Sequence, residues 1–308
     1  MKVEKIDYTK FSLLKPVEDT CMIQSDTDSM YMSADELYQK TPDMDDMKFL
    51  LGIDKMFGDF WNNFLTNKAK SEGVEDLIKF SRESLFGSFL SIKKKMYIGT
   101  KVVEDDQIYG YDHWKPKISG ISLHKSAMPK FCKTKGDPLI FNILTKHNKA
   151  ETDSEMVNIF NEYKKQKIED ISSNGSIGDY KKYVPERMKT YLSEPILSNF
   201  MKGWSINAKM AFSYNWILEK FNLPLTPISS GEKFNYIFVK PTNQFGIESI
   251  AYVDEWPEQF SKFFEIDYEM SFRKFFLPIF DQVYNIIHWK NDDEIIPLKR
   301  SSLDFLHG

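Results

Sequence analysis

Pro129 marks the place where the periodicity of the chain changes, and that change limits the fold more than any other feature. Ahead of it, short apolar runs separated by turn residues predict strands. Cys21-Met22-Ile23 and Met30-Tyr31-Met32 flank the turn chemistry of Ser25-Asp26-Thr27-Asp28, which predicts a tight hairpin over residues 20–32. Residues 85–103, 107–111 and 117–123 are strand-like too, with acidic Glu104-Asp105-Asp106 as a turn between two of them. A helix is predicted between these strands. Ser33 is its expected N-cap with Glu36 three residues on, and residues 45–70 carry Met47, Leu50, Leu51, Ile53, Met56, Phe57, Phe60 and Phe64 at helical spacing, with a kink at Gly52.

Beyond Pro129, residues 138–147, 153–168, 185–191 and 207–221 predict helices. Residues 234–240 predict a strand entering a Pro241-Thr242-Asn243-Gln244-Phe245-Gly246 turn, and residues 260–289 a helix interrupted at Pro278. Residues 172–178 read as a polar, glycine-containing linker. The expected class is α+β: an antiparallel sheet with a helix, then a mostly helical half.

A chain of 308 residues that is 42% hydrophobic and 15% aromatic can bury a core in two adjoining subdomains and is not a disordered segment. Two cysteines, Cys21 and Cys132, are too few for a disulfide framework or a zinc site, which fits a reducing cytosol. Residues 1–15 lack the apolar core of a signal peptide, and no run of about 18 apolar residues predicts a membrane span. The net charge is −4, but residues 89–136 hold ten lysines against four acids, a local +6 that leaves −10 for the rest. A basic segment in an acidic protein predicts a face for a polyanion, or else a solvated lysine-rich hairpin.

Asp26-Thr27-Asp28-Ser29 is the sharpest chemical signal. Two carboxylates one residue apart at a hairpin tip suit a hard divalent cation such as magnesium, which takes oxygen ligands. Two-metal phosphoryl transfer needs carboxylates on a rigid support of this kind. Alone, the motif reads first as an ordinary Asp-rich turn bonding its own backbone. Lys93-Lys94-Lys95-Met96-Tyr97 pairs charge for phosphates with an aromatic for sugar and base edges, although three adjacent lysines are ordinarily a solvated edge.

Taken in order, these segments resemble family B DNA polymerases of the T4-like phage type. Asp26-Thr27-Asp28-Ser29 resembles the core of motif C, with Gln24 and Ser25 where the family usually has Tyr and Gly. The resemblance makes Asp28 the main metal ligand and Asp26 the secondary one. Lys93-Lys94-Lys95-Met96-Tyr97 resembles the Lys-Lys-Arg-Tyr segment that grips the primer–template duplex, with Met96 in place of the arginine. Lys117-Ile118-Ser119-Gly120 and Ser126-Ala127-Met128-Pro129-Lys130 resemble segments that close the palm; Gly120 is expected at a close backbone approach and Pro129 at the start of the first thumb helix. Lys209-Met210-Ala211-Phe212-Ser213-Tyr214-Asn215 resembles a thumb helix with Lys209 at an arginine position, and Asn243-Gln244-Phe245-Gly246 a thumb turn. The end, Ser302 to Gly308, is similar to the tail by which such enzymes dock on the sliding clamp; Leu303, Phe305 and Leu306 are the implied apolar plug, with His307 at a phenylalanine position. Without that resemblance, such a plug would fold back on its own domain.

The resemblance implies three regions: palm over 1–132, thumb over 133–296 and clamp-binding tail over 297–308. Its DNA contacts fall to Lys93, Lys94, Lys95, Tyr97, Lys117 and Lys209, and its cofactor is Mg2+ in a two-metal site. The family's exonuclease domain, motif A aspartate and fingers lysine do not fit into residues 1–21, and Met1 with its charged sequel reads as a start. The expectation is therefore the C-terminal subunit of a split replicative polymerase. Its partners are an N-terminal polymerase chain, primer–template DNA, dNTP and a sliding clamp, in the cytoplasm or a replication compartment of an infected bacterium. A large apolar interface between the chains is expected within residues 44–89. Two alternatives stay open: a non-catalytic DNA- and clamp-binding module, and an unrelated magnesium phosphohydrolase, which leaves the tail unexplained.

Overall fold

The computed structural model describes residues 22–25, 30–41, 43–105, 107–109, 115–178, 197, 201 and 203–289. The fold is α+β, with antiparallel sheets, and divides into two compact units, Met1–Gly120 and Ile121–Gly308. Phe131 and Cys132 are buried in the first helix of the second unit. The carboxylate turn Asp26–Ser29, the predicted helix at 185–191 and the tail with Leu303, Phe305 and Leu306 lie outside the described residues.

In the first unit, β1 (Met22–Ser25) and β2 (Met30–Met32) pair antiparallel, with Ser25 opposite Met30. The following α1 (Asp35–Gln39) starts one residue later than predicted: Ala34 is the N-cap, and the Ser33 hydroxyl instead accepts from the Asp35 N–H at 3.2 Å. Asp45 caps α2 (Asp46–Glu72) by accepting from the Lys48 N–H at 3.0 Å. This helix runs unbroken through Gly52, where a kink was expected, because Gly52 is buried beside Phe49 and Ile53. Residues 74–83 then return antiparallel along it. Thr66 Oγ1 donates to Asp76 at 2.8 Å, the Asn62 amide holds both backbone groups of Phe80 at 2.8 and 2.9 Å, and Arg82 Nε meets Asp54 at 2.8 Å.

The strand-like stretch 85–103 is two strands. β3 (Ser84–Lys93) turns at Lys94-Lys95 into β4 (Met96–Glu104). The turn carries no Gly, Asn or Asp to announce it; Lys95 itself takes the left-handed conformation, φ 63°. On its other side β4 pairs with β5 (Gln107–Ile108) and β6 (Lys115–Ser119). As the central strand, β4 is buried from Tyr97 through Val103 on both faces.

The second unit opens with Pro129 at the N-cap of α3 (Lys130–Lys146); a helix start is expected at Pro129, while the periodicity places one at Pro138, which lies inside the helix. α4 (Lys149–Tyr163) and α5 (Ile168–Ile171) follow. The predicted linker at 172–178 holds a strand, β7 (Ser173–Ser176), because its serines are tied in: Ser173 Oγ donates to the Ala127 carbonyl at 2.6 Å. β7 pairs with β8 (Lys233–Phe238), and β8 with β9 (Ser249–Tyr252). Against β9 packs α6 (Ile206–Phe221), on which Ala208 and Met210 to Leu218 are all buried. The predicted helix 260–289 is in three pieces: a 3-10 turn (Glu258–Lys262), α7 (Tyr268–Phe275) and α8 (Leu277–Ile286), broken at Phe276 just ahead of Pro278. Phe272, Phe276 and Phe280 stack along the last two at 4.8 Å centroid spacings.

Candidate functional site

The strand that follows the paired aspartates in sequence is fixed to the strand that leaves the lysine turn. Tyr31 on β2 donates its hydroxyl to Tyr97 on β4 at 2.9 Å, across 66 residues of sequence. The two rings lie 5.1 Å apart, and Phe89 of β3 stacks on both, at 5.4 Å from Tyr31 and 5.2 Å from Tyr97. Burial, and then the bond to Tyr97, push the Tyr31 phenol well above its usual range, so it stays protonated and keeps donating. Tyr31 is three residues past Asp28 and Tyr97 two past Lys95.

Alternation along the strands explains why these rings meet. Tyr97 and Gly99 share one face of β4, opposite Ser91 and Phe89 of β3 and opposite Ser119 and Lys117 of β6. Phe86 lies over Gly99, where a Cβ would stand 2.6 Å from its ring; only glycine admits that packing. Gly120, at φ +69°, sits against the lysine turn: a Cβ there would come within 2.3 Å of the Lys95 carbonyl oxygen. The close approach expected of Gly120 is thus made, and the approached backbone is that of the lysine turn itself.

Around this frame the sequence-predicted contacts separate. Lys93, Lys94 and Lys95 are exposed at the tip of the β3–β4 hairpin, and Lys117 is half-buried on β6. Tyr97 is only 8% exposed, and its hydroxyl already accepts from Tyr31. In this frame it holds β2 against β4. The +6 segment is not one continuous face. Lys101 is buried and ion-paired with Glu104, whose carboxyl is held below the usual range first by that lysine and then by Tyr109, which donates to it at 3.0 Å. Lys115 stands 4.5 Å over the Tyr109 ring. Farther on, Lys130 and Lys135 belong to the second unit and face Asp170 and Glu162 at 3.5 and 2.6 Å. Lys93, Lys94 and Lys95 are adjacent exposed lysines at the β3–β4 tip.

In the second unit Lys209 is half-buried near the start of α6, which Ser205 caps by accepting from the Ala208 N–H at 3.2 Å. The Asn243-Gln244-Phe245-Gly246 turn is tied by Asn243, whose amide donates to the Lys240 and Ile247 carbonyls at 2.6 Å and accepts from Phe245 N–H at 3.1 Å. Phe245 is buried beneath it, so this turn is a packing device. Among the described residues no three acidic, histidine or cysteine side chains converge as a metal cage. No described helix is long and apolar enough to cross a membrane.

Tyr31, Phe86, Phe89 and Gly99 were not singled out by sequence. The signal for Gly99 was a glycine inside a buried strand, which calls for a close neighbour. Tyr31 carried none beyond its place after the aspartates, since a cross-strand partner 66 residues away leaves no local pattern. Compared with known proteins, the chain matches no family model and no curated relative.

Proposed function

We propose that this chain is the C-terminal subunit of a split family B DNA-directed DNA polymerase, a nucleotidyltransferase active only with a second chain. That chain would carry the exonuclease, the motif A aspartate and the fingers. The observation that carries the reading is the Tyr31–Tyr97 bond. It joins the segment after the paired aspartates to the segment after the three lysines, the juxtaposition a polymerase needs between its metal carboxylates and its grip on the primer.

In this reading Asp28 is the principal magnesium ligand and Asp26 the secondary one. Their donor set fits: two hard carboxylates one residue apart, between strands whose ends are paired at Ser25 and Met30. Magnesium held there supplies positive charge against the triphosphate. The chain's own residues do the positioning. Lys93, Lys94, Lys95 and Lys117 neutralise duplex phosphates, and Lys209 does the same from α6, without reading sequence. Tyr97 and Tyr31 keep the carboxylate hairpin and the lysine turn in register, so the primer 3′-hydroxyl lies in line with the α-phosphate of the incoming dNTP. Leu303, Phe305 and Leu306 anchor the tail in a sliding clamp. The working place is the cytoplasm of an infected bacterium.

Primer extension tests this directly. The expected result is extension by the two chains together and by neither alone. Binding of duplex by the pair without extension would instead establish a non-catalytic DNA- and clamp-binding module.

A further inference from the structure

Among the described residues, the first unit leaves a surface uncovered where α2 and the returning strap 74–83 run side by side. Phe60 and Phe64 on the helix and Val74, Leu77 and Ile78 on the strap are 51 to 74% exposed. None of the residues from Asp54 to Glu72 on α2 is buried, although the helix continues for five turns past Ile53 at 3.6 residues per turn. The polar ties between helix and strap, Thr66–Asp76, Asn62–Phe80 and Asp54–Arg82, fix the strap without turning Leu77 or Ile78 inward.

We infer that this surface binds the polypeptide that completes the catalytic carboxylates; the inference rests on the polymerase reading. Two observations select that occupant. The first is charge. Lys55 pairs with Asp59, Lys68 with Glu72, Lys79 with Asp76 and Arg82 with Asp54, all within the surface's own elements. Such a face offers nucleic acid or an anionic lipid no cationic field and suits an uncharged, apolar protein face. The second is area. At roughly 150–200 Å² for each large apolar residue, these five expose on the order of 500 Å², at the upper end of a monomer's largest patch and most of one side of a standard interface. The strap runs straight into β3, whose outer edge has no partner among the described strands and no charge from Ser84 to Ile92, so backbone pairing can extend the contact. The surface belongs to the same unit as β1 and β2, so a chain seated on it is on the unit to which the missing acid must be brought.

The test is affinity between this chain and the tagged N-terminal polymerase chain of the same genome, measured by titration. The variants are Phe64→Asp/Leu77→Asp, Leu77→Asp alone, and Ile206→Asp on the second unit as control. Circular dichroism melts establish that each variant is folded; Leu77→Asp, at the most exposed of the five, secures a folded variant. The expected result is a loss of about 100-fold or more for the double variant, a smaller loss for Leu77→Asp and none for Ile206→Asp. Unchanged pairing by the folded double variant, while the wild-type pair extends primers, overturns this surface and leaves the polymerase reading standing. No complex and no extension with wild-type chains overturns both. A wild-type chain that self-associates alone, and becomes monomeric in the double variant with partner affinity unchanged, assigns the surface to a second copy and overturns the inference.

Discussion

The two units are made from similar material and finish differently. Among the described residues, all but eight of the buried apolar side chains lie in the second unit, and all but three of the exposed large apolar ones lie in the first. In the second unit α6 is buried from Met210 to Leu218, and Trp216, Phe212, Phe260 and Tyr252 have no exposed surface. In the first, α2 buries three residues out of 27, around a small cluster of Leu37, Phe49 and Ile53. The second unit supplies its own core; the first unit has a well-made frame, centred on β4 and the Tyr31–Tyr97–Phe89 cluster, and an apolar face that nothing among the described residues covers. Apolar surface left in water costs roughly 25 cal/mol per Å², so a unit built this way gains most from a partner.

The contrast can be broken by substituting one large apolar residue in each unit. Trp216→Ala should cost about 3–5 kcal/mol in denaturant unfolding, because it empties a fully packed site. Phe64→Ala should stay within about 0.5 kcal/mol in the isolated chain, as a half-exposed residue does. Equal losses would mean the first unit has a core of its own. A smaller effect tests the frame. Gly120→Ala should destabilise by about 1–3 kcal/mol, since it forces a side chain into left-handed backbone and against the Lys95 carbonyl; unchanged melting would show that this contact does not shape the lysine turn. The smallest effect separates stability from binding. Lys95→Gly relieves the residue's own left-handed conformation and should stabilise by about 0.5–1 kcal/mol. The same change should weaken duplex binding and lower the salt slope by about one. Stability and affinity moving together would remove Lys95 from the DNA-facing surface.

Much of this was legible in the sequence, and the failures share a cause. The hairpin strands around the aspartates, the α2 periodicity, the Pro129 boundary of α3 and the β8 strand all follow local patterns. The turn at Lys94-Lys95 was missed because a lysine took a conformation usually left to Gly or Asn. The strand in 172–178 was missed because its polar residues are held by carbonyls more than 40 residues away, as Ser173 is by Ala127. For the site, the lysines were visible as charge. What joins them to the carboxylate hairpin, Tyr31 on Tyr97 with Gly99 and Gly120 making room, is tertiary and leaves no local pattern. Tyr97 illustrates the gap: an aromatic beside lysines suggests a DNA contact, and nothing local announces that its hydroxyl also accepts from Tyr31 and braces β2 against β4.

The most direct measurement is single-nucleotide incorporation by the two-chain complex carrying Asp28→Ala, alongside duplex affinity of the same complex. The account predicts incorporation lower by on the order of 10³-fold or more, with affinity nearly unchanged, because the duplex is gripped by the lysines and the lysine turn is braced by the Tyr31–Tyr97 bond and the close approach of Gly120. Incorporation at the wild-type rate would contradict it.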